Sequence, residues 1–146
     1  MKKILLSIVM AMGLLFAVNA QDSESTPISF GVNAGWSYLH GIVGGELEVG
    51  HWSVGGGYTP AGSGSWFVTY SDAVARQSSG YYVSLGQAIN GLVDYYGYYY
   101  NGMIVMAGYE VNWYSGLNLK AGCGYMWNDG GVFTWELTMV WSFGLK

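Results

Sequence analysis

Apolar and polar residues alternate with a period of two along most of this chain, which is typical of strands whose two faces meet different surroundings. In residues 133–143, for example, Trp135 and Leu137 alternate with Thr134 and Glu136. After residue 20 no apolar run reaches the ~18 residues that a transmembrane helix needs. The pattern predicts an all-β fold with strands over residues 29–38, 43–49, 52–59, 66–71, 81–88, 105–113, 117–127 and 133–143.

The first twenty residues have the pattern of a cleaved signal peptide. Lys2 and Lys3 form a basic start, residues 4–18 are apolar, and Ala20 closes a small-residue cleavage pattern. The alternative is an uncleaved anchor, but the polar residues 21–24 and the short apolar core favour cleavage. We therefore expect residues 1–20 to be removed and residues 21–146 to form one domain.

The composition is that of a chain with little surface in contact with water. Hydrophobic residues make up 51% and charged residues only 10% of the sequence, and there are 24 glycines. A soluble surface is about a quarter to a third charged. The imbalance is resolved if the apolar faces meet lipid and the small residues pack inside a closed barrel, which satisfies every backbone hydrogen bond. We predict a closed antiparallel eight-stranded transmembrane β-barrel with up-and-down topology.

Charge and cysteine content restrict the class further. The net charge is −4, and no basic patch gives nucleic acid an electrostatic basis for binding. The lone Cys123 has no partner for an internal disulfide. The alternation places its thiol on the lipid-facing side, where it acts as a small hydrophobe.

Aromatic residues gather at the two ends of the predicted strands. Two such rings are what the two membrane interfaces select. One ring comprises Phe30, Trp52, Tyr81, Trp113, Trp141 and Phe143, and the other comprises Tyr38, Tyr58, Trp66, Trp127 and Phe133.

Turn residues set the predicted registers. Gly50 begins a two-residue turn that pairs Val49 with Trp52, and a three-residue loop with Gly116 pairs Trp113 with Leu117. The second loop puts Glu110 opposite Lys120. An even number of strands puts both termini on one side, periplasmic here. The connections 60–65 and 89–102 are then extracellular, whereas connection 72–79 is unexpectedly long for a periplasmic turn.

On these features residues 29–143 resemble the small eight-stranded outer-membrane barrels of Gram-negative bacteria, especially compact ones without a periplasmic extension. Trp141-Ser142-Phe143 is similar to the C-terminal aromatic signal that such proteins present to the barrel-assembly machinery, although Gly144-Leu145-Lys146 overhangs it and Thr138 replaces the usual glycine. The resemblance implies location in the outer membrane, with its lipid and lipopolysaccharide as surroundings.

Five charged residues project inward by alternation. A buried charge is costly without a partner, so we expect them to interact. Lys120 faces Glu110 by register and lies diagonal to Glu136. A structural cluster that keeps the lumen closed is favoured over a charge gate for small ions. The lumenal cluster consists of Glu46, Glu48, Glu110, Lys120 and Glu136.

Catalytic and metal sites have little support in the sequence. His40 and His51 fall at opposite ends of the predicted barrel, and no acid stands beside His40 and Ser37 by register, so we expect His40 to be a solvated loop residue. No cluster has metal-ligand spacing, and no cofactor is expected. An eight-stranded barrel is just filled by its side chains, which argues against general porin activity.

A tyrosine-rich loop is the surface feature with the character of a binding site. Tyrosine offers rigid amphipathic contact area. The alternative is that two strands simply continue above the membrane as a hairpin. The residues are Tyr95, Tyr96, Tyr98, Tyr99 and Tyr100.

The sequence thus predicts a structural, adhesive or accessory protein of the outer membrane, with a protein partner at its loops. A lipid-modifying enzyme and a secreted soluble β-protein remain the alternatives.

Overall fold

A computed structural model describes residues 28–73, 78–93, 99–114, 116–127 and 131–145, without the side chains of residues 90–93, 99–100, 114 and 145. Within these residues the chain forms one closed barrel of eight antiparallel strands in sequence order. The predicted fold class is confirmed. The strands are β1 (Ile28–Trp36), β2 (Val43–Val49), β3 (Trp52–Tyr58), β4 (Gly64–Ser71), β5 (Gly80–Val93), β6 (Tyr99–Tyr114), β7 (Leu117–Trp127) and β8 (Val132–Leu145).

The registers follow the turn chemistry closely. Val49 pairs with Trp52 through a turn in which Gly50 has φ 59°, and Glu110 lies opposite Lys120, as predicted. The predicted pairing of Trp113 with Leu117 is wrong, because the β6–β7 register shifts after Asn112. Tyr114 stands opposite Leu117 instead. The barrel closes between β1 and β8, where Phe30 pairs with Phe143.

β5 and β6 are longer than predicted. Their pairing continues past Ala88, so that Leu92 lies opposite Tyr100 and Val93 opposite Tyr99. The register shifts between Ala88 and Leu92. That irregularity breaks the period-two pattern, which is why the sequence suggested a connection over most of residues 89–102.

β1 is shorter than predicted, ending at Trp36 rather than Tyr38. The Ser37 hydroxyl accepts hydrogen bonds from the backbone N–H groups of Leu39 (3.1 Å) and His40 (2.9 Å), a local turn that competes with strand pairing. Residues 37–41 then form an inward loop, whose Ser37, Leu39 and His40 are buried in the barrel.

A pair of glycines admits the inward loop. Gly44 on β2 lies opposite Gly57 on β3. A Cβ at either position would collide with the backbone carbonyl of His40. The barrel wall must therefore carry no side chain at these two positions, so that the loop can pack against its backbone.

The exterior of the barrel is apolar, and its interior holds the polar and charged side chains together with an apolar cluster. Large hydrophobic side chains, among them Val83 (52% exposed), Leu137 (50%) and Trp141 (58%), cover the outside, and Cys123 is exposed there as predicted. Among the described residues no helix has the length and apolar character required to cross a membrane. At the strand ends, exposed rings belong to Phe30, Tyr81, Trp113, Trp141 and Phe143 on one side and to Tyr58, Trp127 and Phe133 on the other.

Candidate functional site: a polar network inside the barrel

The five charged residues predicted to face inward all do so. Each is buried, with at most 2% of its surface exposed. They come from β2, β6, β7 and β8, which are four of the eight strands. The residues are Glu46, Glu48, Glu110, Lys120 and Glu136.

Lys120 reaches across the lumen. Its backbone lies opposite Glu110 and Thr138, so that Glu136 is diagonal to it as predicted. The ammonium Nζ, however, lies 3.9 Å from Glu46 Oε1 on β2 and 5.2 Å from the centre of the Tyr82 ring. Since β2 and β7 are not neighbours in the sheet, register alone does not predict the contact with Glu46.

Glu136 is the centre of the hydrogen-bond network. Its Oε2 lies 2.5 Å from His40 Nδ1 and accepts a hydrogen bond from the Ser37 hydroxyl at 2.7 Å. Its Oε1 accepts a hydrogen bond from the Tyr82 hydroxyl. One carboxylate on β8 therefore ties the inward loop and β5 to the same point.

The prediction that His40 is a solvated loop residue is wrong. The side chain is fully buried and its ring packs edge-on against Phe67, with centroids 4.4 Å apart. Its Nε2 lies 3.3 Å from the Ser84 hydroxyl and 3.4 Å from the Thr69 hydroxyl. An acid does stand beside His40 and Ser37, because the inward loop carries both residues to Glu136.

The other carboxylates accept hydrogen bonds from serines that lie one or two strands away in the barrel. Ser53 donates to Glu46 at 2.7 Å. Glu48 accepts from Ser29 and, at 2.9 Å, from Ser142.

Glu110 likewise accepts a hydrogen bond from a serine, through the Ser71 hydroxyl. The small polar residues that alternate with the apolar ones thus serve as donors to buried carboxylates, which lowers the cost of burying the charge.

An apolar layer lies beside the polar network. Leu39 is fully buried and joins a cluster with inward-facing side chains of β4 to β7. A Cβ at Gly86 would collide with its Cδ1, so a bare position on β5 receives this side chain. The cluster comprises Leu39, Phe67, Tyr82, Ala88, Ile104, Met106 and Met126.

His51 takes no part in this network. It lies in the turn between β2 and β3, where its Nδ1 is 2.8 Å from the Ser71 carbonyl and its ring stacks on Tyr70. Among the described residues no group of three or more His, Cys, Asp and Glu side chains is placed to hold a metal ion.

The tyrosine-rich loop falls mostly outside the described residues. Tyr95, Tyr96 and Tyr98 lie beyond them, and only the backbone of Tyr99 and Tyr100 is described, as part of β6. Its pairing with β5 shows that both strands continue toward this loop.

Comparison with known proteins gives one structural match. No family model and no curated protein matches the chain. The chain is similar to the outer membrane protein Ail of Yersinia pestis, solved as a backbone structure in a phospholipid bilayer nanodisc. The identity is 15% and the TM-score 0.38, over 81% of this chain and 99% of that one.

Proposed function

We propose that the chain is a small integral protein of the bacterial outer membrane, exported by a signal peptide that is removed after Ala20. The observation that carries this proposal is the inverted distribution of side chains: exposed Val83, Leu137 and Trp141 outside, buried Glu110 and Lys120 inside. In water this arrangement would expose a large apolar surface, whereas in a bilayer it is stable.

The lumen is filled and largely non-conducting in this proposal. Leu39 and His40 occupy the interior with no exposed surface, and Glu136 holds the loop that carries them. The polar network is then a structural cluster. The competing proposal, a charge gate for small ions, uses the same Lys120 and Glu46 but requires the inward loop to leave the lumen.

The biological role we propose is structural, adhesive or accessory. Outer-membrane lipid and lipopolysaccharide surround the barrel, the assembly machinery acts on Trp141 and Phe143 during biogenesis, and a protein partner binds the loop with Tyr95, Tyr96 and Tyr98. A lipid-modifying enzyme is less favoured, because Ser37 and His40 face the lumen rather than the lipid.

Fractionation and planar-bilayer recording test the proposal together. The mature protein should enter the outer-membrane detergent fraction, change gel mobility on boiling and show no resolved single-channel steps. Replacing both Leu39 and His40 by Gly should produce steps, because it empties the lumen beside Phe67. A mature chain that stays soluble without detergent would contradict membrane insertion, and steady conductance by the unaltered protein would contradict the filled lumen.

Lys120→Ala provides a second test of the lumenal cluster. Removing one partner of a buried ion pair costs roughly 3–5 kcal/mol, because the other charge stays buried. We expect a lower temperature for the change in gel mobility. A second change, Glu46→Gln, should restore part of the loss, and an unaltered transition in Lys120→Ala would contradict a structural role for the cluster.

A further inference from the structure

The barrel wall has a slot where β1 stops short of β8. The last β1–β8 pair is Trp36 with Leu137, yet β8 continues to pair with β7 as far as Val132. Within the described part of the chain, residues 132–136 therefore pair with a strand on one side only, because the chain turns inward after Trp36.

A cavity of about 190 Å³ occupies this slot. The rings of Trp36 and Trp135 stack there, 6.2 Å apart between centroids and inclined by 20°. Both are exposed on the outside, whereas Met126, which lines the same cavity, is fully buried in the apolar layer of the lumen. The cavity thus extends from the exposed rings to the edge of the apolar layer, and it is larger than the ~150 Å³ apolar cavity that binds benzene.

One polar side chain lies in the slot without a protein partner. Thr134 lines the cavity and is 4% exposed, and its hydroxyl has no hydrogen-bond partner among the described residues. A buried hydroxyl without a partner is unfavourable, so an occupant that carries an acceptor fits the site better than a pure hydrocarbon.

We propose that the slot binds the ester-linked end of a fatty-acyl chain from a surrounding bilayer lipid, an inference that rests on the proposed membrane insertion. The ester carbonyl accepts a hydrogen bond from the Thr134 hydroxyl, and the first methylenes pack against the edges of the two stacked tryptophan rings, beside Met126. The slot opens onto the lipid-facing surface beside Phe133, in the aromatic ring that marks the membrane interface, where lipid head groups and chains meet.

Methionine methyl groups allow a direct test. The protein, labelled with 13C at its methionine methyls, is placed in nanodiscs of dimyristoyl phosphatidylcholine, and cross-relaxation from lipid chain protons is measured. Met126 should show a cross-peak although it is fully buried, whereas the equally buried Met106, outside the slot, should show none. If Met126 shows no cross-peak with lipid, the proposal is wrong, and an extended peptide paired with the free edge of β8 becomes the alternative occupant.

Exposed Met139 separates this proposal from membrane insertion itself. If Met139 contacts lipid and Met126 does not, only the slot proposal fails; if neither does, the barrel is not inserted.

The hydrogen bond is tested with Thr134→Val and with lipids that lack the carbonyl. Losing one hydrogen bond of about 1 kcal/mol lowers the affinity about five-fold, so the Met126 cross-peak should weaken in the diester lipid, by up to about five-fold if the slot is sparsely occupied. In the diether analogue the unaltered protein and Thr134→Val should give equal cross-peaks. Thr138→Val is the matched control, since its buried hydroxyl also lacks a partner within the described residues but lies opposite Gly35, where β1 is still paired. A Met126 cross-peak unchanged in Thr134→Val overturns the assignment.

Discussion

Glu136 shows how one residue can hold a loop inside a barrel. Its side chain is fully buried, and its carboxylate accepts hydrogen bonds from Ser37, His40 and Tyr82. Hydrogen bonds to a charged group contribute about 1.5–3 kcal/mol each, more than neutral ones. Two of the three partners belong to the inward loop, so the order of that loop depends on a side chain from β8.

Glu136→Gln should therefore release the inward loop without unfolding the barrel. The amide keeps the shape of the side chain but loses the charge, and we expect a loss of about 2 kcal/mol in the free energy of unfolding. Backbone hydrogen exchange at Leu39 and His40 should accelerate. Glu48→Gln removes a similar buried carboxylate, bonded to Ser29 and Ser142, and should leave exchange at those two amides unchanged. Equal acceleration in both variants would contradict the role assigned to Glu136.

At the scale of the strands, the sequence correctly predicts which residues face each other on adjacent strands. The position of Glu110 opposite Lys120 follows from a short turn and strict alternation. The burial of His40 does not, because its acid partner is 96 residues away and the Gly44–Gly57 pair that admits the loop has no periodic signal. The sequence feature that indicates the inward loop is Ser37 three residues before His40, followed by two glycines, Gly44 and Gly57, that the strand register places opposite each other.

Tyr82 is a second residue whose packing depends on a strand that is not its neighbour in the sheet. Its side chain starts on β5 and extends across the lumen face of β6 to β7, where a Cβ at Gly122 would collide with its hydroxyl. Gly122→Ala should move that hydroxyl away from Glu136 and cost roughly 1–3 kcal/mol by overpacking. Urea unfolding in lipid vesicles measures the loss.

The cost of Gly122→Ala should shrink in a Tyr82→Phe background, because the nearest colliding atom is then absent, but it should not vanish, because the Ala107 carbonyl stays 2.8 Å from the added Cβ. Gly64→Ala is the matched control, since nothing lies within 4 Å of a Cβ at that position. A loss of stability at Gly64 as large as that at Gly122 would show that glycine content, rather than the fit of Tyr82, determines the effect.

At the scale of the whole molecule, the inverted side-chain distribution makes the cost of an exterior charge depend on its height in the barrel. Leu137 and Phe143 both face outward on β8 and are similarly exposed, 50% and 48%, but Leu137 lies midway along the strand and Phe143 in an aromatic ring at its end. In a bilayer, Arg costs about 2–4 kcal/mol at the midplane and about 0–1 near the interface. Leu137→Arg should therefore destabilise the protein folded in vesicles far more than Phe143→Arg does. In a barrel surrounded by water, arginine at either height would meet solvent, and Phe143→Arg, which also removes the stack on Trp141, would cost at least as much as Leu137→Arg. That result would exclude a bilayer-spanning exterior.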